Sequence, residues 1–109
     1  MEAGDIVIGS WDNGDGTSKR RPLLVLEKTQ LGLLRVAYGT SQRCDKAAPE
    51  HGELVITPQE CPQLKMATRF CLKFRELVLP EQLQKVASIA GNRAVLLKLA
   101  KVARQANLV

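Results

Sequence analysis

The sequence predicts a mainly β domain of the α+β class: a small antiparallel barrel or curled sheet with a broken helix at its C-terminal end. Three observations lead there. Short apolar or alternating runs recur through residues 4–79, separated by turns rich in glycine, asparagine and proline, which is the spacing of hairpin-connected strands. After Pro80 the apolar residues fall three and four apart, the period of a helix. The 109 residues contain no internal repeat, low-complexity segment or linker, so one domain spanning 1–109 is expected, long enough to bury about two thirds of its unfolded surface.

The elements follow in order. Gly4-Asp5-Ile6-Val7-Ile8-Gly9 is a first strand, β-branched and bounded by glycines. Ser10 to Ser18 holds Asn13-Gly14 and Asp15-Gly16, dipeptides suited to positive φ. It is too long for a two-residue hairpin and is expected to extend as a flap. A calcium loop is disfavoured: Asp12, Gly14 and Gly16 lack oxygens at the third and fifth positions, and no glutamate stands at the twelfth. Trp11 reads first as a core cap, and otherwise as a base-stacking residue. Pro22 to Lys28 is the second strand, opened by a proline that cannot donate within a ladder. Thr29 to Gly32 turns the chain, and Leu33 to Tyr38 returns as the third strand.

Residues 44–52 read as a polar loop in which His51 is solvated. Glu53 to Thr57 is a short fourth strand. Thr57-Pro58-Gln59-Glu60 has the form of a capping box and predicts one helical turn before Pro62. Thr68 to Phe74 alternates, with Phe70, Leu72 and Phe74 on one face and Arg69, Cys71, Lys73 and Arg75 on the other. Leu77-Val78-Leu79 extends or follows it. Pro80 then opens a helix with Leu83, Val86, Ala87 and Ala90 in one stripe. Gly91-Asn92 interrupts it, and a second stretch over about 93–106 places Val95, Leu99, Val102 and Ala106 together.

Composition narrows the function. Hydrophobic residues make up 45% and charged residues 25%, ordinary for a soluble globular chain. No apolar run approaches the ~20 residues of a membrane span, and the start lacks a signal-peptide pattern, so a cytoplasmic protein is expected with no membrane role. Cys44, Cys61 and Cys71 are odd in number and lack a CxxC spacing, so free thiols are expected, with no metal site and no cofactor. With one histidine in the chain, a cysteine nucleophile is disfavoured. The formal net charge is +5, and residues 81–109 hold Lys85, Arg93, Lys98, Lys101 and Arg104 against Glu81 alone. A basic surface suits a polyanion or an acidic protein, and equally describes a solvated helix face.

The chain is organised around Lys19-Arg20-Arg21-Pro22-Leu23-Leu24-Val25-Leu26. Two arginines stand at the mouth of an apolar strand, and a guanidinium's planar fork of donors matches a phosphate. An ordinary basic strand flank has the same look. Gly39-Thr40-Ser41-Gln42 puts small hydroxyls behind a glycine, fit for close approach of a ligand oxygen and also common turn chemistry. The residues alone leave both pairs of readings open.

Taken together, Gly4-Asp5-Ile6-Val7, the glycine-rich loop, Arg20-Arg21-Pro22 with its strand, and Gly39-Thr40-Ser41-Gln42 resemble the PemK/MazF family of bacterial toxins. Met66-Ala67-Thr68-Arg69-Phe70, then Leu77-Val78-Leu79-Pro80 and a terminal helix, extend the resemblance over nearly the whole chain, most weakly between residues 43 and 60. The resemblance implies a small SH3-like barrel of the CcdB/MazF/PemK type with a C-terminal helix, usually a homodimer. It implies a type II toxin that cleaves single-stranded RNA without a metal and is held by a cognate antitoxin. By position, Arg21 matches the family's catalytic arginine and Thr40 its catalytic threonine. Arg20 becomes a neighbouring phosphate contact, and Trp11, Lys19, Ser41 and Gln42 shape the RNA channel. Two features depart from the pattern. Asp12 and Asp15 bring negative charge near a phosphate site, and the basic segment 93–106 is unexplained, leaving a dimer interface or an acidic antitoxin segment as its use. The alternatives are a barrel toxin acting on a protein such as gyrase, and an inactive binding module. The gyrase-poisoning relatives carry an aromatic residue near the C-terminus, whereas this chain ends Ala106-Asn107-Leu108-Val109.

Overall fold

The computed structural model describes residues 1–12 and 14–106; the Asn13 half of the Asn13-Gly14 turn and the terminal 107–109 lie outside the described residues. Among the described residues there are six strands, β1 (Asp5–Asp12), β2 (Ser18–Lys28), β3 (Leu34–Thr40), β4 (Glu53–Ile56), β5 (Thr68–Val78) and β6 (Gln84–Ser88), followed by one α-helix, α1 (Arg93–Gln105). They form one antiparallel sheet in the order β4-β5-β3-β2-β1-β6. Register slips interrupt the β1–β6, β2–β3 and β3–β5 ladders. Each slip adds local twist, so the sheet curls into a half-barrel.

The concave face closes on α1. Ile6, Leu24, Ala37, Leu54, Ile56, Phe70, Leu72 and Ala87, drawn from all six strands, pack with Ile89, Val95 and Val102, and Leu99 lies against the same cluster. The apolar stripe expected on the helix is therefore present but faces its own sheet, which removes it as a dimer surface. Asn92 does not merely interrupt the segment. It caps α1, its side chain accepting the Val95 N–H at 3.1 Å and donating to the Glu60 carbonyl at 2.8 Å. Thr57 and Glu60 make the expected reciprocal bonds, each backbone N–H donating to the other's side chain, and Glu60 also meets Lys98 at 3.0 Å.

The segment after Pro80 departs from its helical period. Pro80–Gln82 is a single 3-10 turn, and Gln84–Ser88 is a strand pairing Asp5↔Ser88 and Ile6↔Ala87. Of the expected stripe only Ala87 is buried, while Val86 and Ala90 are exposed. The outer edge of β1 would otherwise leave a row of unpaired backbone groups, and pairing them outweighs a weak local preference. The expected loop at 44–52 contains two short 3-10 turns, Cys44–Lys46 and Pro49–His51.

The arginine-bearing stretch also differs from expectation. Pro22 is not the first residue of its strand: β2 begins at Ser18 and pairs with β1 through Asp12↔Ser18, Trp11↔Lys19 and Gly9↔Arg21. The expected flap shortens to the hairpin tip, where Asp12 accepts the Gly14 N–H and Asp15 accepts the Thr17 N–H. Pro22 is tolerated because pairing with β3 ends at Leu23↔Tyr38, so residues 18–22 pair with β1 alone. The arginines thus stand on a rigid two-strand ribbon.

Candidate active site

The convex face of the sheet is covered at only one end. There Val7, Leu23, Val25, Leu34 and Val36 form a second apolar cluster, with Trp11, Val78 and Leu83 packed on it. Strand alternation puts Trp11, Arg21, Tyr38 and Thr40 on this same face, beyond the cluster. The cross-strand pairs Tyr38↔Cys71 and Thr40↔Arg69 add β5, and Glu53↔Cys71 adds β4.

An open cleft of about 420 Å³ lies here, lined by Trp11, Asp12, Tyr38, Arg69, Cys71 and Phe74. Its aromatic wall is continuous. The Trp11 and Tyr38 rings are 5.3 Å apart and tilted, and Phe74 meets Tyr38 edge-on at 6.5 Å. Phe74 had been expected beside Phe70 and Leu72 in the core, yet it is 61% exposed. The cause is the β3–β5 slip, where Ala37 faces Arg75 and the next residue, Tyr38, faces Cys71. The extra residues on β5 reverse the alternation beyond Leu72, so Phe74 turns out to the cleft, which Cys71 also lines from the side expected of it.

Arg21 adjoins the cleft through Tyr38, its guanidinium 5.0 Å from the ring centroid. Its Nε is buried and has no hydrogen-bond partner in the protein. Buried polar atoms are nearly always paired, so this N–H stands out among the polar groups of the site. Thr40 lies two residues beyond Tyr38 on β3, past the end of the β2–β3 ladder, where the Pro22 backbone passes close to Gly39. Gly39 permits this approach: a Cβ there would stand 2.4 Å from the Pro22 carbonyl oxygen and 2.7 Å from the Phe70 ring. Thr40 is 5% exposed, and its hydroxyl oxygen accepts the Gln42 N–H at 3.2 Å, which leaves the hydroxyl proton to be donated.

The other sequence-derived candidates divide. Lys19 pairs with Trp11 and shares the face of Arg21. Arg20 pairs with Ser10, one residue out of phase, and alternation turns it away. Ser41 and Gln42 are exposed in the turn after β3. That turn contains Arg43 in the left-handed region (φ 57), unusual for a residue with a side chain. Trp11 packs on the apolar cluster, as a core cap would, and also lines the cleft. Tyr38, Phe74 and Glu53 carried no sequence signal. Arg69 had one, as an arginine in an alternating strand that also carries Arg75, without a partner to give it meaning.

Three free thiols are present, Cys61 and Cys71 buried and Cys44 partly so. Among the described residues no three His, Cys, Asp or Glu side chains are grouped to share a metal ion, and no helix is long and apolar enough to cross a membrane.

No protein-family model matches the sequence, and neither does any curated protein. Solved structures do match. A crystal structure of MazE-MazF from Deinococcus radiodurans (Form-III) is similar over 99% of this chain and 94% of that chain, with a TM-score of 0.65 at 18% identity. The Form-II crystal structure is similar over 99% and 93%, with a TM-score of 0.66 at 19% identity. The fold is therefore MazF/PemK-like, a curled antiparallel sheet closed by a C-terminal helix.

Proposed function

We propose that this chain is the toxin of a type II toxin–antitoxin pair, a metal-independent endoribonuclease acting on single-stranded RNA in the cytoplasm. The observation that carries the reading is Arg21: a guanidinium over the ring of Tyr38, which lines the aromatic cleft, with its Nε–H buried and unpaired. Aromatic faces accept unstacked bases of any sequence, and a fixed guanidinium beside them meets the phosphate between two bases. The MazE-MazF neighbours support an antitoxin as partner, and we extend this to one that covers the cleft.

In the proposed reaction the ribose 2′-oxygen attacks the adjacent phosphorus and the bond to the 5′-oxygen breaks. The products are a 2′,3′-cyclic phosphate and a 5′-hydroxyl, the proton lost by the 2′-hydroxyl being balanced by the one the leaving oxygen gains. Negative charge grows on the non-bridging oxygens, where Arg21 stabilises it. Arginine stays protonated, so its part is electrostatic rather than that of a base. Thr40 donates its hydroxyl proton to a phosphate oxygen and so fixes the angle of attack. Trp11, Lys19, Ser41 and Gln42 border the RNA path, and Arg20 adds charge from the opposite face. The working form is a homodimer.

The test is cleavage of a long single-stranded RNA by purified protein in excess EDTA, with Arg21→Ala alongside. Discrete fragments bearing cyclic phosphate from the wild type alone are expected. Equal cleavage by folded Arg21→Ala removes Arg21 from the mechanism. No cleavage by either protein overturns the ribonuclease reading and favours a protein target.

A further inference from the structure

We propose that Arg69, held by Glu53, is a positioning residue that fixes the Thr40 hydroxyl through the backbone of Gln42; this rests on the ribonuclease reading. Arg69 uses two donors in two directions. Its Nε donates to the Gln42 carbonyl at 3.1 Å, and its Nη1 donates to Glu53 Oε2. Both side chains of this ion pair are more than four-fifths buried, at 19% and 17% exposure. Gln42 then completes the path, because its N–H donates to Thr40 Oγ1. One peptide residue is thus gripped on its carbonyl by Arg69 while its amide holds the hydroxyl.

The segment needs such a grip. Residues 41–43 leave the sheet at the end of β3, and Arg43 occupies the left-handed region, which persists only where surroundings over-determine it. Cys44 Sγ supplies a second, weaker tether, lying 3.5 Å from the Ser41 carbonyl and 3.4 Å from the Ala67 carbonyl. Glu53 stands on β4, across β5 from Thr40, and orients Arg69 along the strand pair Thr40↔Arg69. An arginine suits the post where a lysine would not. Its rigid fork serves the carboxylate and the carbonyl together, whereas an ammonium is a point charge on a flexible stem. Because Arg69 also lines the cleft, direct binding of RNA is the competing role, and the two separate kinetically.

The experiment is a double-mutant cycle between Arg69→Gln and Thr40→Ala, with Glu53→Gln as the milder variant. For a group acting through Thr40, Arg69→Gln lowers kcat by about 10²-fold or less with KM nearly unchanged. In the Thr40→Ala background the same change has little further effect. Glu53→Gln, which keeps an oxygen acceptor, loses less. Multiplicative effects in the cycle, or a raised KM at constant kcat, overturn the proposal. Amide exchange at Gln42 supplies a readout without RNA: folded Glu53→Gln or Arg69→Gln protein exchanges this hydrogen several-fold faster, and unchanged exchange overturns the clamp. If wild-type protein cleaves no RNA, the ribonuclease reading fails, and the exchange rate still decides whether Arg69 holds the turn.

Discussion

Replacing Arg21 with methionine separates the two things a side chain contributes here, stability and chemistry. In the folded protein Arg21 keeps its Nε–H buried without an acceptor. A donor in that position costs about 1–3 kcal/mol. Against it stands the guanidinium over the Tyr38 ring, worth about 0.5–1 kcal/mol at a half-exposed site. Methionine keeps an unbranched apolar stem against Tyr38 and removes the unpaired donor. The net expectation is a protein as stable as the wild type or up to about 2 kcal/mol more so. For a chain of this size that is a melting temperature raised by as much as about 8 °C. Cleavage should fall by about 10²–10³-fold, the usual loss when one donor to a charged transition state is removed. Thermal or urea unfolding beside an RNA-cleavage assay reads both. A loss of more than about 1 kcal/mol would refute the reasoning, because Arg21 would then be a structural residue whose Nε finds an acceptor in the folded state. A stable variant with full activity would refute the catalytic half alone.

Gly39→Ala forces a Cβ against the Pro22 carbonyl and the Phe70 ring, and backbone cannot give way cheaply. The expected cost is about 1–3 kcal/mol by denaturant unfolding, with activity falling as β2 is pushed from Thr40. Stability should also fall in acid. Burial pushes the Asp5 carboxyl up, but the Glu2 N–H, Ser88 and Lys85 more than offset it and hold the group below the usual carboxylate range. For Glu60 burial again acts upward, and the Thr57 N–H and Lys98 outweigh it. A carboxyl depressed in the folded state binds its proton more readily when unfolded, so its stabilisation is complete above the ordinary range and is lost as pH falls through the folded value. Urea midpoints should therefore drop below about pH 4. The Asp5→Asn, Glu60→Gln double variant should flatten that drop, and an unchanged slope would assign it to other groups.

Much of this molecule was legible in the chain itself. The strands around Ile6, Leu24, Val36 and Leu54 announce themselves through short β-branched or apolar runs bounded by turns, because burial and turn chemistry act over a few residues. The stripe of Val95, Leu99 and Val102 likewise has the period of the helix it forms. Arg21 and Thr40 were singled out by the order of the motifs around them, since their residue types alone fit an ordinary strand flank and turn equally well. What the tertiary structure decided lies wherever a distant partner outweighs local preference. Gln84–Ser88 became a strand because the edge of β1 needed pairing. Phe74 left the core because a slip between β3 and β5 reversed its side of the sheet. The Glu53–Arg69–Gln42–Thr40 path joins three strands and a turn, and its members acquire meaning only at the distances folding gives them. Periodicity reports the face a residue would take in an ideal element. Register, bulges and sheet edges are set between elements, by backbone groups that carry no sequence of their own.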